Sequence, residues 1–130
     1  SGSHIGFSTL RMEPCWMAMG QAAGIASALS IDGKVKVQNI NLSRLQDKLI
    51  DQKATLMYFK DVDYTSPHFR MVQYLGLRGY LPEWTARLQE PVDATTLAAW
   101  KKLSGTDLPG IEAGKTTRLA TLEMIYRKIK

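Results

Sequence analysis

Small and apolar positions between Cys15 and Ser30 recur at a helical spacing: Ala18, Ala22 and Ala26 lie four apart, as do Gly20 and Gly24. Residues four apart share one face of an α-helix, so the pattern predicts a helix over 15–30, closed by Asp32-Gly33. Each glycine costs a helix about 1 kcal/mol relative to alanine. The stripe is therefore expected where another backbone or a flat ligand comes close; packing of a helix on a sheet accounts for it equally well. Val35–Ile40 alternates and reads as a short extended piece. Ser43-Arg44-Leu45-Gln46 reads as a capping box, with Ser43 as N-cap and Gln46 reaching back. Leu42, Leu45 and Leu49 give this second helix its apolar side, and it ends near Gln52.

The pattern changes around Leu56–Ser66, the expected internal boundary. Ser66-Pro67 signals a helix start with proline at the first helical position. Phe69, Val72 and Leu75 form its apolar side, and Gly76–Gly79 ends it. A loop through Pro82, Trp84 and Pro91 leads to Asp93, the cap of a fourth helix with Leu97, Trp100 and Leu103 on its inner face and Gly105 at its end. Thr116 or Thr117 starts a last helix that turns Leu119, Leu122, Ile125, Tyr126 and Ile129 inward. The expected fold is mostly α, a small helical protein of about five helices with little or no strand.

Composition narrows the classes. With 130 residues, 45% hydrophobic and 22% charged, the chain has an ordinary globular make-up, which excludes collagen, disorder and disulfide scaffolds. Cys15 is alone, and His4 and His68 cannot complete a zinc site with it. The net charge of +5 is uneven: residues 1–100 carry ten Lys/Arg against nine Asp/Glu, and residues 101–130 seven against three. Part of that excess, Arg127, Lys128 and Lys130, falls where cations complement a helix C-terminus. No nucleic-acid module accompanies it, so no nucleic-acid partner is expected. Pro14–Ile31 is uncharged for eighteen residues, yet it is built of Ala, Gly, Ser and Met rather than Leu, Ile and Val. It reads as a buried helix rather than a membrane span, and Glu13-Pro14 stands where a signal peptide would be basic.

Several motifs fail on their chemistry. Gly114-Lys115-Thr116 resembles the end of a phosphate-binding loop, but the position five before Gly114 is Pro109, and no apolar strand precedes it. Asp61-Val62-Asp63 would open a calcium loop whose sixth and twelfth positions are Ser66 and Val72 instead of Gly and Glu. His68 reads as a first-turn packing residue. No catalytic constellation and no metal site closes among these residues.

The segment Ser3-His4-Ile5-Gly6-Phe7-Ser8-Thr9-Leu10-Arg11-Met12-Glu13-Pro14, followed by Met17-Ala18-Met19-Gly20-Gln21-Ala22-Ala23-Gly24-Ile25-Ala26, resembles the C-terminal end of the FAD-dependent oxidoreductase family. That family includes a bacterial group whose members carry the label xanthan lyase. Its flavin domain ends in an RxEP-like segment, a Met-rich stretch, GQAAG and an Ala-rich helix. The likeness extends over about residues 3–53. It implies that the helix carrying GQAAG points its N-terminus at the flavin's pyrimidine edge, where negative charge collects on reduction. It implies further that Arg11, Glu13, Met19, Gly20, Gln21, Ala22, Ala23 and Gly24 lie at or near an FAD site. The GxGxxG unit that holds the pyrophosphate in such domains does not occur in this sequence. FAD is thus expected in a longer parent protein and not in this chain alone.

Tyr58-Phe59-Lys60-Asp61-Val62, Pro67-His68-Phe69, Val72-Gln73-Tyr74-Leu75 and Gly79-Tyr80-Leu81 are similar, more weakly, to an S-layer homology motif. Thr116-Thr117-Arg118-Leu119-Ala120 resembles the TRAE-like start of that motif's second helix. The resemblances imply two regions, 1–57 as the tail of a flavin-binding domain and 58–130 as an S-layer-homology-like helical domain. The expected function is that of a piece of an FAD-dependent oxidoreductase, inactive by itself; the alternative is a helical module that binds carbohydrate or a partner protein. The rest of the flavin domain is the expected partner, with self-association through the 15–30 helix where that domain is missing. The compartment is left open, export to the periplasm or cell surface being one placement. On the structural alternative for the second region, Trp84 and Trp100 are both expected to be buried.

Overall fold

The computed structural model describes residues 3–130, with the backbone alone at Thr9. Among the described residues there are six α-helices and one 3-10 turn, and no strand. This is the mostly α fold that the apolar spacing predicts. Two compact units divide the chain, the first ending at Lys53 and the second running Ala54–Lys130.

The first unit opens with α1 (His4–Leu10), a helix not anticipated from the apolar spacing; Ser3 caps it, its hydroxyl accepting from the Gly6 N–H at 3.0 Å. Next comes α2 (Glu13–Gly33), longer at both ends than the expected 15–30. Pro14 sits in its first turn, where a missing N–H costs nothing. Lys34, left-handed at φ +50°, ends it, its N–H returning to the carbonyls of Ser30 and Ile31. The expected extended piece is instead a 3-10 turn over Val37–Asn39, closed by a 2.8 Å bond from the Asn39 N–H to the Lys36 carbonyl.

Helix α3 (Leu42–Asp51) is capped by Asn41, whose side chain accepts from the Arg44 N–H at 3.1 Å. The capping box on Ser43 is therefore corrected. An asparagine two residues earlier serves at least as well, and it moves Ser43 into the first turn. Leu45 and Leu49 turn inward as expected, joined by Ile50, while Leu42 is exposed. Helix α2 packs on α3 and on the 3-10 turn.

The second unit holds α4 (Phe69–Gly76), α5 (Ala94–Ser104) and α6 (Arg118–Ile129). Ser66–His68 form a turn before α4, the Ser66 hydroxyl accepting from the His68 N–H at 3.2 Å, so the helix starts two residues after Pro67. Val72, Leu75, Leu81, Val92, Trp100, Leu122 and Ile125 make the core. Asp93 and Thr117 cap α5 and α6 as the sequence predicts, accepting from Thr96 and Ala120, and a left-handed Gly105 closes α5. Leu103 is exposed, because six residues at 100° each carry it well off the face that buries Leu97.

The segment 88–92 is laced to 114–119 by backbone bonds, among them Val92 N–H to Thr116 at 2.9 Å and Arg118 N–H to Glu90 at 2.8 Å. Trp100 is buried, its indole N–H donating to the Tyr80 carbonyl at 2.7 Å. Trp84 is not: it is 69% exposed. Its backbone carbonyl accepts from the Lys60 N–H at 2.8 Å. The neighbouring apolar positions Tyr80, Leu81 and Ala86 fill the core, which leaves the indole outside, edge-on to Tyr58 at 6.3 Å.

Candidate functional site

The eight residues singled out in the first unit lie on or just before α2. Arg11 ends α1, its N–H bonded to the Phe7 carbonyl at 2.9 Å, and Glu13 opens α2; both are exposed. The acidic side chain in the first turn suits the positive end of the helix dipole. No side chain caps α2 at Met12, but Pro14 has no N–H and the Cys15 N–H donates to the Met12 carbonyl at 3.0 Å, so the helix start offers its dipole rather than a row of open donors.

Gly20 begins seven residues inside the helix. Its N–H, like that of Gly24, is spent within the helix, and these positions offer surface rather than donors. A methyl group built at Gly20 or at Gly24 would meet no atom within 4 Å. The stripe is open to solvent along one side of α2. Met19 and Ala23 are exposed beside it, and the Ala23 carbonyl accepts from the Ser27 hydroxyl at 2.9 Å.

The segment does not present all its residues together. Gln21 turns away from the stripe and donates to the Gln52 side-chain oxygen at the end of α3, at 3.0 Å, while Ala22 is half-buried. At 100° per residue Gly20 and Gly24 share one side of α2 with the exposed Trp16 and Met17, one turn earlier, and with Ala23, and these can meet one flat partner. Gln52 escaped the sequence reading, since a lone glutamine at a helix end carries no spacing signal.

A second polar centre lies wholly within the second unit. The Asp61 carboxylate accepts from the Ala86 and Arg87 N–H groups at 2.8 and 2.7 Å, which holds Arg87 left-handed at φ +51°. The Arg87 guanidinium pairs with Glu83 and lies 3.8 Å from Glu90, and its Nε is buried without a partner. Arg118 is 5% exposed. Its Nε–H donates to the Ala86 carbonyl at 2.9 Å, and its guanidinium stands 5.0 Å from the Trp100 ring. Burial, with Arg87 nearby, pulls the Arg118 pKa below the usual arginine range.

Both arginines, with Glu83, Thr96, Tyr80 and Trp100, line a cleft of about 180 Å³. Gln73, fully buried in α4, satisfies both ends of its amide on Leu56 and Met57. His68, in the turn before α4, lies 4.0 Å from Glu123 on α6. Among the described residues no group of three His, Cys, Asp or Glu side chains could hold a metal ion, and no helix is long and apolar enough to cross a membrane.

Residues 1–49 match the family model of the FAD dependent oxidoreductases. The match takes in α1, α2, the 3-10 turn and most of α3, and with them every residue assigned above to a flavin site. No curated protein matches the chain, and no solved structure matches it.

Proposed function

We propose that the first unit is the closing part of a flavin domain, in which α2 lays its open glycine stripe against the flavin of an FAD-dependent oxidoreductase. The observation that carries this reading is the coincidence of the family match over residues 1–49 with a helix side on which Gly20 and Gly24 have nothing over them. Such a surface fits a planar ring, because each missing side chain lets the ring come close to the helix. FAD, when bound, takes up and passes on the electrons of the reaction.

The residues of this chain supply its surroundings. Gly20 and Gly24 give room, and Met19 and Ala23 border them. Arg11 and the uncapped start of α2 offer positive potential to an anionic group of the cofactor. Gln21, tied to Gln52, fixes α2 on α3.

The chain alone is not expected to hold the cofactor. One helix end contributes on the order of 1 kcal/mol, whereas micromolar affinity needs roughly 8 kcal/mol. The contacts that make up the difference belong to the glycine-rich unit on the pyrophosphate. Titration of the purified chain with FAD, followed by flavin fluorescence, should show no saturable binding. The same chain in a protein that includes the glycine-rich unit should come out yellow with one flavin per chain. Stoichiometric flavin on the chain alone would overturn this account of the binding energy. A flavin-free protein in the second case would overturn the reading itself.

A second reading concerns the second unit, as an S-layer-homology-like module for carbohydrate. Exposed Trp84, edge-on to the exposed Tyr58, is what favours it, since sugar faces stack on open aromatic rings. Calorimetric titration with cell-wall glycans should then give saturable heat that is lost in Trp84→Ala; absence of heat with the unaltered chain counts against it.

A further inference from the structure

Arg118 is a charged side chain that the second unit buries without an ion pair. Only 5% of it is exposed. Its Nε–H donates to the Ala86 carbonyl, and its guanidinium stands 5.0 Å from the Trp100 ring. Its two terminal NH2 groups find no acceptor among the described residues, and they open on the cleft of about 180 Å³. An arginine stays charged in a protein, and taking it out of water is costly unless an acceptor or an opposite charge meets it. Gln73, buried in the same unit, has partners at both ends of its amide. Arg118 does not.

The charges around the cleft leave that place for an anion. Glu83 is the one acid on its wall among the described residues, and it is paired with Arg87. Asp93, close by, is engaged in capping α5 on Thr96. The wall thus sets two guanidiniums against one carboxylate. Thr95 and Thr96 apart, the rest of the lining is glycine and largely apolar side chains, among them Tyr80, Ala99, Trp100 and Leu103. The Trp100 indole N–H is already donated to the Tyr80 carbonyl, so this residue offers a ring surface rather than a donor.

From this we infer that the cleft binds a small carboxylate with an apolar body. The carboxylate sits on the Arg118 fork, and the body lies against Trp100, Ala99 and Leu103. A planar guanidinium matches a carboxylate through two parallel N–H···O bonds. The occupant is small, because drug-sized ligands need pockets of roughly 300 Å³ and more. Neither Trp84 nor any residue of the first unit lines the cleft, so the inference rests on neither reading above.

The test is titration of the 130-residue chain with isocaproate, followed by proton–nitrogen correlation spectra. The Trp100 indole N–H and the Thr96 backbone N–H should shift and saturate, whereas isocaproamide, which lacks the charge, should move neither. Arg118→Lys keeps the charge but loses the fork and should weaken binding about tenfold. Leu103→Glu puts a like charge on the wall at an exposed helical position; it should weaken binding by a similar factor with circular dichroism unchanged, and it decides the matter where Arg118→Lys does not fold. No saturable shift with isocaproate overturns the inference, as does equal affinity for isocaproamide. Equal or tighter binding of inorganic phosphate or of glucuronate overturns the choice of an apolar carboxylate. Unchanged affinity in Leu103→Glu, or in a folded Arg118→Lys, places the ligand elsewhere and overturns it too. Loss of glycan heat in Trp84→Ala leaves each of these results untouched.

Discussion

Gln73 is a polar side chain with no exposed surface, and replacing it with leucine tests how the second unit is held together. Its oxygen accepts from the Leu56 and Met57 N–H groups, both at 2.8 Å, and its amide N–H donates to the Met57 carbonyl at 2.7 Å. One side chain thus stands in for the backbone partners that residues 56–57, which belong to no helix, lack. Gln73→Leu keeps the volume and removes all three bonds.

At about 1–3 kcal/mol for each buried group left unpaired, the loss would reach about 3–9 kcal/mol if water stayed out. The bonds are only partly buried, so water recovers some of this, and burying a leucine returns about 1.5–3 kcal/mol. A net destabilisation of about 2–4 kcal/mol is expected, a large share of the 5–15 kcal/mol or so available to a domain. Urea titration followed by tryptophan fluorescence, with Trp100 as the buried reporter, should show the midpoint fall with an unchanged slope. Gln21→Leu, which breaks an exposed amide bond, should change stability by no more than about 0.5 kcal/mol. Equal, small effects at both positions would refute the reasoning that the buried amide organises residues 56–57.

Other consequences can be checked separately. A chain of residues 54–130 should keep its helical circular dichroism and melt cooperatively, because the hydrophobic cluster lies entirely within it; a featureless melt would contradict this. Trp84→Ala, at an exposed site, should leave thermal stability within about 0.5 kcal/mol of the unaltered chain. The Asp93 carboxyl is held below the ordinary carboxylate range chiefly by its bonds to Thr96. A lowered folded-state pKa gives stability that is full above the unfolded value and is lost as pH falls through the folded one. Asp93→Asn, which keeps a capping oxygen, should flatten that part of the acid limb in a pH series of urea midpoints, and an unchanged limb would show that the cap does not titrate with folding.

The helices were legible wherever period and cap agreed. Asp93, Gly105 and Thr117 bound their helices as expected, and Phe69, Val72, Leu75, Leu122 and Ile125 are buried at the predicted spacing. Caps failed where two candidates competed, as at Asn41 and Ser43, since either side chain can accept the same class of N–H and only the chain's path decides. Trp84 misled because size alone suggested burial. The loop's hydrogen bonds run through its backbone and through Asp61, and nothing in the sequence says which side of the loop meets the core. Helix α1 has no apolar period to reveal it. For the candidate site, the GQAAG segment was legible as close-packing surface, but its division into an open side at Gly20 and Gly24 and a tethered side at Gln21 needed the partner on α3. The fork of Arg87 and Arg118 forms through contacts that span up to 32 positions, beyond any local pattern.

The claim that α2 lays its glycine stripe against a flavin is tested most directly by adding a side chain there. Gly20→Leu places a branched side chain on a position that meets nothing within the chain itself, so the helix should tolerate it, and leucine even improves helix propensity over glycine. The measurement is the ratio of flavin to protein absorbance in the purified flavin-bearing protein that contains this chain, with Gly33→Ala at the far end of α2 as the control. The account predicts that Gly20→Leu comes out folded and colourless while Gly33→Ala keeps its flavin. A fully yellow Gly20→Leu protein would contradict it.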